Sequence, residues 1–173
     1  TMTSILKVSE IQDPTNGNSA LTVDTSGRIF TPARPLFMAP GNASGYQNTS
    51  ASVTIISAWN TSDSTISIVQ GGMSFNSSGV TVPAAGIYEV FSSVIFKVEN
   101  AEYGILMIYK NSDRITLSQS YNITTGVTTE NSVATKAFVN CAAGDVLSIR
   151  ELGQNAQWYN NSTYGTFSVQ LIG

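Results

Sequence analysis

Eleven carboxylates, one cysteine and no histidine set the limits of what this 173-residue sequence can do chemically. Without histidine there is no Ser-His-Asp triad, no Cys-His pair and no His-containing zinc site. A single thiol, Cys141, cannot build a thiolate metal cluster or an intrachain disulfide. It stands beside Ala142 and Ala143, and there it reads as a small buried core residue. The carboxylates are scattered, with only Glu99 and Glu102 near neighbours. A glycosidase needs two carboxyl groups converging across a cleft, and this pattern reads instead as solvated loop groups. Glycines fall at turns, and none forms a phosphate-cradling loop before a helix. No catalytic residue, cofactor or metal is expected. Trp59, Tyr103, Tyr121, Trp158, Tyr159 and Tyr164 supply either a sugar-stacking surface or buried aromatic core. Trp158 and Tyr159, between Asn155 and Asn161, look the most loop-like and are the candidate receptor contact.

The elements that would position these residues follow from composition. Apolar residues make up 42% of the chain but charged residues only 11%, against roughly 25% in a typical soluble domain. The polar surface must therefore be built from Ser, Thr, Asn and Gln. Those residues compete for backbone hydrogen bonds in a helix, whereas Thr and Val suit a pleated strand, so an all-β fold is expected. The net charge is −3 and no Lys/Arg cluster exists, which argues against nucleic acid and anionic membrane surfaces as partners. The longest apolar run, residues 105–109, is far short of the roughly 20 residues a membrane helix needs, so a soluble chain without membrane insertion is expected. The opening Thr1-Met2 is what trimming of an initiator Met would leave, giving a complete natural product; a tag remnant leaves the same residue.

Along the chain, Ile5, Leu6, Val8 and Ile11 stand among polar residues at a spacing that fits helix or strand. Pro14 and Asn16-Gly17 then stop any regular element. Leu21 and Val23 alternate with polar residues into a turn at Ser26-Gly27, and Ile29 begins a return, as in a small hairpin. Pro32, Pro35 and Pro40 mark an extended connector. This divides the chain into an arm, residues 1–35, and one domain, residues 36–173. Strand signals then recur at 36–39, 53–59, 65–69, 73–75, 80–82, 86–99, 105–110, 115–118, 133–139, 146–152 and 166–172. In the longest, Tyr88, Val90, Val94, Phe96 and Val98 share one face by period-two alternation. The other face carries Ile87, Phe91 and Ile95, so this strand is expected to be covered on both sides. A two-sheet jelly-roll sandwich accommodates such a set.

Three segments carry a resemblance. Phe75 to Val90 contains Val82-Pro83-Ala84-Ala85-Gly86-Ile87-Tyr88, a strand ending in Pro followed by an aromatic-rich strand. Tyr109-Lys110-Asn111 falls at a central hairpin. Ala143-Gly144-Asp145-Val146-Leu147 precedes the penultimate strand, and Phe167-Ser168-Val169-Gln170-Leu171-Ile172 ends the domain. Together these are similar to the globular head of complement component one q and the tumour necrosis factor superfamily, across residues 36–173. The resemblance implies a homotrimeric jelly roll. Some trimers of this fold hold calcium near the axis, and Asp113 or Asp145 would be the donors. Neither has the alternating acidic spacing of a calcium loop, so both read as turn formers. A chain so poor in charge, with two apolar faces on its longest strand, has surface to bury beyond its own core.

The front of the chain, Ser4 to Gln12 followed by Ala20 to Ile29, resembles N-terminal stretches of virion structural and fibre proteins of tailed phages, notably those of marine and cyanobacterial hosts. This implies a non-enzymatic bacteriophage virion structural protein at the virion surface. Its homotrimeric knob would be attached to phage capsid or tail proteins through Ile5, Leu6, Val8, Ile11, Leu21, Val23 and Ile29, decorating or cementing the capsid. The alternative is a tail-fibre or head-fibre tip that binds a host surface glycan or protein.

Overall fold

In the computed structural model, which describes residues 9–12, 19–31, 33–98, 102–121 and 128–173, alternation along one long strand organises everything else. That strand, β10 (Gly86–Val98), turns Tyr88, Val90, Ser92, Val94, Phe96 and Val98 inward, and none of the six is exposed to solvent. β-branched and aromatic side chains at every second position suit a pleat with one face in a core. Burying each large apolar side chain contributes about 1.5–3 kcal/mol. The one polar member, Ser92, is satisfied because its hydroxyl donates to the Thr166 carbonyl at 2.9 Å. Tyr88 likewise donates its phenol to the Ala84 carbonyl, also at 2.9 Å.

The arm contributes β1 (Glu10–Gln12), β2 (Ser19–Val23) and β3 (Ile29–Phe30), which form a separate three-stranded antiparallel sheet. Its hairpin turns at Gly27, whose φ of 79° lies in the left-handed region that glycine enters without a steric penalty. Asp24 fixes the same turn by accepting from the Ser26 and Arg28 amides and from the Arg28 guanidinium. The helix-or-strand ambiguity around Ile11 resolves as strand.

Two larger sheets face each other across the core. One comprises β4 (Leu36–Pro40), β5 (Gln47–Asn48), β7 (Ile68–Gln70), β10, β13 (Thr129–Cys141), β15 (Gln157–Tyr159) and β16 (Thr166–Leu171), in the order β5-β15-β10-β16-β4-β7 with β13 on the other edge of β10. The other runs β12 (Asp113–Tyr121), β11 (Tyr103–Lys110), β14 (Val146–Gln154), β9 (Gly79–Thr81), β8 (Ser74–Asn76), with β6 (Thr54–Ile55) also on β14. All pairings are antiparallel, and no helix occurs among the described residues. β10 is long enough to hold β16 along Tyr88–Ser93 and β15 along Ile95–Lys97 on a single edge. Aromatic rings fill the space between the sheets: Phe37 meets Phe75 at 5.4 Å and Phe167 edge-on at 5.2 Å, and Trp59 lies 5.5 Å from Phe167. The two-sheet sandwich expected from the strand signals is therefore present. Cys141 is buried in it, and burial pushes its thiol pKa up.

Two expectations need correction. The 53–59 strand shrinks to two residues, because Trp59 turns into the core and donates its indole N–H to the Ile56 carbonyl. Residues 157–159, read as loop, are strand β15, paired on both edges with β10 and β5. The second face of β10 is not covered within the chain, in keeping with a chain that has surface to bury beyond its own core: Ile87 is 46% exposed, and Phe91 and Ile95 are only half-buried.

Candidate functional site

The outward face of the seven-stranded sheet is built by register. Ile68, Met38, Ser168, Phe91 and Lys136 are successive cross-strand partners and so form one transverse row. Gln70, Leu36, Gln170, Glu89 and Phe138 form the next. Paired residues share a face, so Met38, Ile68 and Phe138, all exposed, join Phe91 and Leu36 on one surface. Phe138 is 62% exposed. Isolated exposed apolar residues are ordinary, but apolar residues from four strands, β7, β4, β10 and β13, gathered on one sheet face with only Ser168 and Gln170 of β16 between them, mark a contact surface.

The charges on this surface are neutralised within it. Lys136 Nζ lies 2.8 Å from Glu89 Oε2 and over the Phe138 ring at 5.3 Å. Gln170 donates to the other Glu89 oxygen at 3.3 Å. Covering the part of the surface where the Lys136–Glu89 pair is already made strands neither of those charges, which is the costly event in burying ionic groups. Further along β10, Ile95 pairs with Ser132 and Tyr159. Tyr159 sits 5.1 Å from the Tyr46 ring and 6.0 Å from Tyr164. Burial, with a hydrogen bond to Glu130, pushes the Tyr46 phenol up to about 12, so it remains a neutral donor.

The carboxylates serve local structure. Asp145 accepts from Asn111 Nδ2 at 2.8 Å and from the Ala142 amide at 2.9 Å, and these bonds hold its pKa below the usual range. Asp63 is lowered in the same way by Thr65. Glu151 departs from the reading of the carboxylates as solvated loop groups. It points inward from β14, 2% exposed, with the Ser50 amide donating to its carboxylate. Burial raises its pKa from 4.5 to about 7. Among the described residues no three His, Cys, Asp or Glu side chains group as metal ligands.

Of the attachment residues expected from sequence, Ile5, Leu6 and Val8 lie outside the described residues. The other four come together: Ile11 pairs with Leu21 and Val23 with Ile29, and the two pairs share β2 at alternate positions. All four therefore occupy one face of the small sheet, where Ile11 and Ile29 are exposed. The Trp158-Tyr159 pair is split by the pleat. Trp158, 9% exposed, belongs to the core, and only Tyr159 faces outward. Phe138, Met38 and Ile68 were not foreseen. Phe138 carried a signal, since it breaks a strand whose out-of-phase positions are otherwise Ser132, Ala134, Lys136 and Asn140.

The described residues thus form a jelly-roll sandwich with one sheet face that carries exposed apolar side chains and is not covered within the chain. The family model described as the TNF (Tumour Necrosis Factor) family matches residues 57–169, and the chain belongs to the tumour necrosis factor family. Among solved structures, that of Eiger TNF from S. frugiperda is similar with a TM-score of 0.62 at 16% identity, covering 81% of this chain and 94% of that one. At that identity the likeness concerns the fold. No curated protein matches the chain.

Proposed function

We propose that this protein is a bacteriophage virion structural protein: a homotrimeric, non-enzymatic knob that associates through the outward face of its seven-stranded sheet and is anchored to the particle by its arm. The observation that carries the reading is the row ending in Phe138, an aromatic side chain left in solvent on a sheet whose inward face is already filled. Family membership supports closure as a trimer, and closed cyclic symmetry buries such a face without leaving an open end. Placement on a phage rests on the resemblance of the N-terminal stretches, and the shared apolar face of Ile11, Leu21, Val23 and Ile29 supports docking by the arm. The particle position we adopt is capsid decoration or cementing, with a tail-fibre or head-fibre tip that binds a host receptor as the alternative.

Light scattering on the purified chain tests the assembly. The expected mass is three times the 18.4 kDa of one chain, and Phe138→Glu should give a folded monomer. A wild-type chain that stays monomeric at micromolar concentration overturns the trimer. Copy number per particle, measured by quantitative mass spectrometry against the major capsid protein, tests the location. Hundreds of copies fit capsid decoration, and a few tens or fewer move the knob to the tail.

A further inference from the structure

The row of the outward face at the far end of β10 differs from the apolar rows. Asn48, Gln157, Lys97 and Glu130 are successive cross-strand partners over β5, β15, β10 and β13. With Glu102 and Asn155, three of these, Asn48, Gln157 and Lys97, line a cavity of about 190 Å³. Asn48 and Asn155 also border a second cavity of about 410 Å³ that runs on past Gln154. Together they make one groove lined by carboxamides, with one side chain of each charge. Next to it, Tyr46 lies tilted against Tyr159 at 39°, and Lys97 reaches over the Tyr46 ring at 5.6 Å.

Two properties of the lining define what it fits. Gln157 Nε2 donates to Asn48 Oδ1 at 3.1 Å, which leaves the Asn48 amino group and the Gln157 carbonyl side by side as one donor and one acceptor. Vicinal hydroxyl groups, each able to donate and accept, complement such a pair. Lys97 and Glu102 offset each other in the lining, and Glu130 beyond Lys97 is engaged by the Tyr46 phenol, so the groove has no excess positive charge to draw an anion. The exposed part of Tyr46 beside it, 36% of the residue, adds apolar surface at the groove's border.

The groove also lies at the end away from the arm. The connector joins where Arg34 Nε donates to the Leu171 carbonyl, and Leu171 pairs with Tyr88. Lys97 is roughly 30 Å further along β10 at ~3.3 Å per residue.

We infer that this groove is a binding site for a neutral saccharide, with the Asn48–Gln157 carboxamide pair reading adjacent hydroxyls and Tyr46 bordering the ring. The inference rests on the knob being held by its arm with the far end outward, and it gives the host-surface reading a ligand class.

The test is saturation-transfer difference NMR on the full chain with maltose, cellobiose, lactose and chitobiose, and with sialyllactose as the charged probe, in samples whose mass is checked by light scattering. Transfer to at least one neutral disaccharide at millimolar concentration is expected, and Asn48→Ala combined with Gln157→Ala should weaken it about tenfold. Should that variant fail to fold, shifts of the Asn48 and Gln157 side-chain amide signals on adding sugar to the wild-type chain give the same answer. No transfer from any neutral sugar to an intact trimer overturns the inference while the trimer stands. Binding untouched by the double substitution, or a preference for sialyllactose, overturns it too. A monomer that binds the neutral sugar supports the site and overturns only the assembly.

Discussion

Replacing Glu151 with Gln removes a titration from the interior and keeps the shape. In the folded chain the carboxyl is buried on β14, and its pKa is raised from 4.5 to about 7, burial being the cause and the Ser50 amide a partial offset. A carboxyl whose folded value lies above its unfolded value binds more protons in the native state between the two. Stability is therefore full below about 4.5 and declines as pH rises through about 7. The difference between the two values corresponds to about 3 kcal/mol at ~1.36 kcal/mol per unit. Gln accepts the same amide bond and cannot ionise, so Glu151→Gln should be near neutral at pH 4.5 and stabilising by about 3 kcal/mol at pH 8. For a chain of this size that is a rise in Tm of about 6–12 °C. Thermal melts followed by circular dichroism across this pH range, with the oligomer confirmed unchanged at each pH, give the comparison. Parallel pH profiles for wild type and variant, or a Gln variant less stable at pH 8, would refute the reasoning, because either means that the carboxyl is solvated or held by a cation.

Trp158→Ala should cost about 3–5 kcal/mol, as expected for emptying an aromatic site in a core; denaturant unfolding measures it, and a loss under 1 kcal/mol would contradict the placement of the indole. Gly41→Ala should prevent folding or cut soluble yield severely, since an added Cβ would overlap the Asn160 backbone, which has no freedom to retreat; a normally folded variant seen by circular dichroism would count against that approach. Changing Leu21, Val23 and Ile29 together to Asp should leave a trimeric knob that no longer joins particles, read by co-sedimentation with phage lacking the protein. Particles that still acquire it would remove the arm from the attachment.

The strands that face one core were readable from the chain because period-two alternation reports burial directly. Gly86–Val98 and Thr166–Leu171 were visible for that reason. Short strands whose pattern is mostly polar, such as Gln47–Asn48, carry no such signal and exist only because a neighbour offers a free edge. The Trp158-Tyr159 pair was legible as aromatic but not as divided, because which of two adjacent residues points inward depends on pairing with Phe96 and Ile95. The outward face is less legible still. Met38, Ile68 and Phe138 come from three separate segments, and only cross-strand register makes them neighbours. Glu151 was hidden for the opposite reason, since a carboxylate in a strand reads as solvent-facing unless its phase against Leu147 and Ile149 is taken into account.

That phase relation also decides how the interface variant should behave. In β10 the inward residues are all buried, so the core is complete within one chain and does not depend on what covers Ile87, Phe91 or Phe138. Phe138→Glu alters only the outward half of β13, whose inward residues Val133, Thr135 and Val139 keep their contacts. It should therefore separate association from folding, which a substitution at Val139 would not. β13 pairs along its whole length with β10 and also packs against β12. A monomer would leave the apolar rows in solvent, and exposed apolar patches of that kind favour association. A folded Phe138→Glu chain should consequently stay dispersed, whereas Phe138→Ala, which weakens association but adds no charge, should aggregate on concentration. If both variants stayed monomeric and dispersed, the outward face would not be the sticky surface that the trimer requires.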